Sequence, residues 1–109
     1  MFEINNTKWF LKFVPPESPS LMRSDGTFTV GICDNETKTI YLNDTLHGDF
    51  FKKVLCHEMV HASMFSYGVE LTLEQEELLA DMIATYGEEI IKTTNVLFNK
   101  ITRRRERFK

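Results

Sequence analysis

The stretch VLCHEMVHASMF, Val54 to Phe65, sets two of the chain's three histidines four positions apart, with a glutamate directly after the first. Around it Phe50, Phe51, Val54, Leu55, Val60 and Phe65 recur at helical spacing, and Gly68 supplies a stop, so a helix is predicted from about Asp49. Its start is open among Asn43, Asp44 and Asp49, each a competent N-cap. On such a helix His57 and His61 are about 400° apart in rotation and leave one face a turn apart. Two imidazoles so placed can reach one tetrahedral Zn²⁺ at about 2.0–2.1 Å. Glu58 lies about 100° around, poorly set as an equivalent ligand but able to touch a water on that ion. Two ligands and a base on one rod is the physical logic of H-E-x-x-H. Five residues can match by chance, so the rest of the chain must decide.

The composition is that of a folded domain. Of 109 residues, 42% are hydrophobic and nine are phenylalanine, enough for a core in a single unit. No apolar run approaches the roughly 18 residues that span a bilayer, and the N-terminal MFEINNTKWF lacks the features of a signal peptide. The expectation is a cytoplasmic protein with no membrane partner. Cys33 and Cys56 form no C-x-x-C pair, which excludes a cysteine-rich zinc site, and they read as reduced, partly buried thiols. Net charge is −3 but unevenly spread: KITRRRERFK, residues 100–109, holds six basic groups and one acid, whereas the other 99 residues hold seven basic and 15 acidic groups. That basic tail is read as a solvated helix end favoured by the macrodipole, with contact to a nucleic acid as the less favoured alternative.

Trp9 to Val14 is aromatic and β-branched and stops at Pro15-Pro16, which predicts a strand. Residues 15–26 hold all three prolines and end in Asp25-Gly26, a loop. Phe28, Val30 and Ile32 alternate with polar or small residues, Asp34 to Lys38 is turn material, and Thr39 to Leu42 resumes the alternation. A β-hairpin follows, with the first strand completing a small antiparallel sheet of about three strands. A second helix begins near Thr72, where Thr72-x-x-Gln75 has the form of a capping box. Leu78, Leu79, Met82, Ile83, Tyr86, Ile90 and Ile91 give it an apolar stripe expected to face inward. The fold class is therefore α+β, in one domain over residues 1–99 followed by the basic tail at 100–109.

A catalytic zinc needs a third protein ligand. The second helix offers Glu74, Glu76, Glu77 and Asp81, and Glu70 just precedes it. Glu77 and Asp81, four apart beside Leu78, are placed on the inward side, with Glu74 one turn earlier and Glu76 turned toward solvent. An inward acid on an apolar face is expensive unless paired or bound to metal.

His57-Glu58-x-x-His61 followed by Glu77-x-x-Ala80-Asp81-x-x-Ala84 resembles the gluzincin arrangement of thermolysin-like enzymes, and most nearly the compact ImmA/IrrE-like metallopeptidases of phages and mobile elements. The hairpin GICDNETKTIYLND resembles the strand pair that precedes the active-site helix in that group, so the likeness covers roughly residues 28–91. It implies Glu77 as the third zinc ligand, Asp81 as the support of His57, Glu58 as general base, and hydrolysis of a peptide or protein substrate. Its alternative is a non-catalytic zinc-binding or protein-interaction module. His47, Tyr67 and Tyr86 are candidates to face substrate or an oxyanion, and the hairpin edge could pair with an extended peptide.

Overall fold

The computed structural model describes residues 1–107. Four strands come first: β1 (Phe2–Ile4), β2 (Thr7–Val14), β3 (Gly31–Asp34) and β4 (Thr39–Asn43). A single 3₁₀ turn, Pro19–Leu21, interrupts the loop between β2 and β3. Two helices follow, α1 (Gly48–Tyr67) and α2 (Leu73–Arg107). The class is α+β, as the change of period from two to 3.6 at the end of β4 implies.

The sheet differs from the expected antiparallel three-strander: it has four strands, ordered β1-β2-β4-β3, and is mixed. β1 escapes sequence reading because it is three residues long, held by a two-residue turn in which Asn5 and Asn6 both have positive φ (48° and 62°). β3 and β4 form the expected hairpin, with Cys33 opposite Ile40. β2 and β4 pair in parallel, Phe10 opposite Thr39 through Val14 opposite Asn43. The reason is the long loop, which returns β3 antiparallel to β2 but one place away, so that the hairpin folds β4 into the gap. Side-chain alternation reports burial, not the direction of the neighbour. The predicted strand at Phe28 starts only at Gly31, because Phe28 bridges back to Met22 inside the loop.

The core is where the sheet meets α1. Trp9, Ile40 and Leu42 are fully buried against Val54 and Ala62 of the helix. The Trp9 indole N–H donates to Ser66 Oγ at 2.7 Å, so its one polar atom is satisfied. Helix α1 starts after His47, which caps it with no side-chain hydrogen bond. Asn43 instead accepts from the Thr45 backbone and hydroxyl (2.8 and 2.6 Å). At the far end Gly68 takes the left-handed conformation (φ 66°) that a non-glycine residue would resist, and Val69 N–H closes back on the Met64 carbonyl at 2.9 Å.

The capping box at Thr72 forms reciprocally, with Gln75 N–H donating to Thr72 Oγ1 and Thr72 N–H to Gln75 Oε1 (3.2 and 3.1 Å). From there α2 runs 35 residues without a break, and residues 100–107 of the predicted basic tail form its last turns; residues 108–109 of that tail lie outside the described residues. No described helix is long and apolar enough to cross a membrane.

Candidate metal centre

Helix α2 packs against α1 through small residues of its own: Ala80 is fully buried, whereas Leu78, expected to point inward, is 70% exposed. The packed face of α2 is the Glu76–Ala80–Ala84–Gly87 line rather than the stripe of large apolar residues. That phase brings three acids of α2 against the histidine face of α1, and it reverses the expected orientation of Glu76, whose side chain is 17% exposed.

His57 Nε2, His61 Nε2 and the Glu77 carboxylate converge. The two imidazole nitrogens are 3.1 Å apart, and Glu77 stands 3.2 Å from one and 3.0 Å from the other. Each opposite ring nitrogen is engaged elsewhere: His57 Nδ1 with Asp81 Oδ1 at 2.9 Å, His61 Nδ1 with Glu76 Oε1 at 2.6 Å. A neutral imidazole has one N–H, and here the carboxylates take it at Nδ1. Both Nε2 atoms then present lone pairs, so three acceptors face one another with no proton among them. A bound cation relieves that arrangement, as does a proton on either Nε2, which would then donate to the Glu77 carboxylate. Ligands at about 2.0–2.1 Å on a tetrahedral ion lie about 3.3–3.4 Å from one another, close to the separations found. His57, His61 and Glu77 thus form a group that could hold a metal ion, with a carboxylate behind each histidine. Glu74, the alternative third ligand, is exposed and outside the group.

Glu58 occupies the sheet side of the cluster. It is 7% exposed, and β3 approaches so closely that a Cβ added at Gly31 would stand 3.1 Å from Glu58 Cγ and Val54 Cγ1. Burial raises the Glu58 pKa above the ordinary glutamate value; His61, His57 and Arg23 oppose that shift and Glu77 adds to it. Two clefts, of about 260 and 220 Å³, flank this carboxylate and share Thr29 and Gly31. The first is lined by Arg23, Ile32, Cys33, His61 and Glu76 among others, the second by Phe50, Lys53, His57 and Asp81. Burial, reinforced by Glu58 and Glu76, pushes the Cys33 thiol up to about 12, and the thiol lies outside the convergent group.

The remaining candidates sit apart. His47 precedes α1 and is exposed, with Nδ1 against the Thr45 carbonyl at 3.1 Å; ten residues of helix, about 15 Å, separate it from His57. Tyr67 and Tyr86 are 62% and 55% exposed and line neither cleft. Sequence reading turned Glu76 toward solvent and missed Arg23 and Gly31. For Glu76 a signal existed in the small residues four, eight and eleven places on, which mark the close-packed side of α2. Arg23 had none, since it arrives from the loop. Comparison with protein-family models, curated proteins and solved structures returned no match to this chain.

Proposed function

We propose that this chain is a zinc-dependent peptidase with Glu58 as its general base. The observation that supports this most is a buried carboxylate placed beside three convergent acceptors and open to two clefts. Zinc held by His57, His61 and Glu77 would supply Lewis-acid polarisation of a carbonyl and a water acidified toward pKa ~7. Glu58, its basicity raised by burial, takes the proton of the attacking water and returns it to the leaving amine. Asp81 and Glu76 hold the two imidazoles in the tautomer that keeps their Nε2 lone pairs available. Arg23, which donates from Nη2 to Thr29 Oγ1 at 3.3 Å, is the cationic side chain of the larger cleft and is assigned to the developing oxyanion. β3 is an edge strand of the sheet, and Gly31, Ile32 and Cys33 line that cleft, so an extended peptide can lie along it.

The test compares the purified chain with Glu58→Gln and His61→Ala by elemental analysis and by hydrolysis of a quenched fluorescent peptide library. Wild type and Glu58→Gln should each hold about one zinc per chain, with hydrolysis in the wild type alone, and His61→Ala should hold none. Equal activity in wild type and Glu58→Gln, or a wild-type chain free of metal, refutes the reading. Metal in both proteins with hydrolysis in neither would transfer the site to the non-catalytic, partner-binding class.

A further inference from the structure

Because α2 packs on α1 through small residues, large apolar residues of α2 stay open to solvent among the described residues. Leu79, Ile83, Tyr86, Ile90, Leu97 and Ile101 are each 37% to 55% exposed. At 100° per residue all six fall within an arc of about 60°, a narrow seam well away from the Ala80–Ala84 face. Their four-and-three spacing is that of a two-stranded helical seam. The seam outlasts the body of the protein. The ion pair between Lys52 and Glu88 (2.9 Å) ties α2 to the first turns of α1, and from Glu88 to Glu106 every residue but Thr102 is exposed. A helix that projects for about five turns draws its stability from packing rather than propensity.

Charge indicates what covers the seam. Leu73 to Ile90 carries six acidic and no basic residues, and Ile91 to Arg107 carries six basic residues and one acid. An anionic membrane surface suits only the second half, and a parallel copy of α2 would set acid on acid. An antiparallel copy sets each half against its opposite. The midpoint of α2 is Ile90. A two-fold axis there brings Leu79 level with Ile101, Ile83 with Leu97 and Tyr86 with Thr94. We infer that the outer seam of α2 is the interface of an antiparallel homodimer, the commonest closed assembly and one whose two patches are the same surface. The inference is independent of the peptidase reading.

Sedimentation velocity on the full chain at about 100 µM should give a particle of twice the chain's 12.8 kDa. Ile90→Lys sets two like charges at the axis on an exposed site and should weaken association at least about tenfold, with the fold of the body unchanged by circular dichroism. Orientation is read by oxidation. The double variant Leu79→Cys/Ile101→Cys should crosslink into dimers, whereas Leu79→Cys alone should not; a parallel pair would crosslink the single variant. A monomer at that concentration, a dimer indifferent to Ile90→Lys, or crosslinking of the single variant overturns the proposal. So does a monomer that binds phosphatidylserine vesicles, which would give the seam to a lipid surface.

Discussion

Removing Glu76 should weaken metal binding more than removing Asp81, although Asp81 is the acid that the motif singles out. Each carboxylate receives the Nδ1–H of one histidine, and losing such a support typically lowers metal affinity by about 10–100-fold. The structure orders the two. Glu76 lies 2.6 Å from His61 with 17% of its side chain exposed, and Asp81 lies 2.9 Å from His57 with 67% exposed. Water competes for the exposed pair and hardly for the buried one. Glu76→Ala therefore belongs near the upper end, about 100-fold or roughly 2.7 kcal/mol, and Asp81→Ala near the lower, about 10-fold or roughly 1.4 kcal/mol. Glu76→Gln keeps an acceptor oxygen but loses the charge, and should fall between them at about 10–30-fold. Competition titration of zinc against a chromophoric chelator measures all three. If Glu76→Ala binds zinc within threefold of wild type, or if Asp81→Ala is the weaker binder, the tautomer argument fails.

Gly31→Ala forces a methyl against Glu58, Val54 and Leu42 at 3.1–3.2 Å, and should destabilise the fold by about 1–3 kcal/mol in urea unfolding; an unchanged midpoint would show that β3 and α1 are not in close contact. Asn6→Ala removes the short polar side chain by which asparagine tolerates φ 62° and should lower stability by about 1 kcal/mol, with Asn6→Gly near neutral; equal effects would argue against the left-handed turn. In the metal-free chain Glu58→Gln should raise the melting temperature at neutral pH. The sign follows from burial, which raises the folded-state pKa of Glu58, so its charged form is disfavoured in the fold and stability falls as pH rises from the unfolded value through the folded one. Thermal melts at pH 4 and pH 7 should show the gain at pH 7 and little at pH 4; a loss at pH 7 would mean that His57 and His61 outweigh desolvation.

Local signals were legible and long-range ones were not. The histidine spacing, Gly68 and the Thr72–Gln75 box each act within a turn of helix, and each is where periodicity and capping chemistry place it. Asp81 Oδ1 stands 2.9 Å from His57 Nδ1, one turn of α2 beyond Glu77. The face of α2 was misread because hydrophobicity identifies a side that wants to be covered without saying by what. Ala80 and Ala84 are weaker apolar signals than Leu78 and Met82, yet their size lets two helices approach. Once the inward face is centred on Ala80, Glu76 turns in. The parallel pairing of β2 with β4 and the arrival of Arg23 depend on the path of residues 15–30, and no short pattern encodes that path.

All three convergent donors and both carboxylates behind them lie within residues 57–81, on two helices joined by the short link that begins at Gly68. The closures the centre needs are therefore brief, from 15 positions between His61 and Glu76 to 24 between His57 and Asp81. Closing 15 to 24 positions costs less chain entropy than the 29 between paired residues of β2 and β4. A cation captured on that closure would clasp the helical hairpin before the sheet exists, and coordination would then act as a folding nucleus as well as a feature of the finished protein.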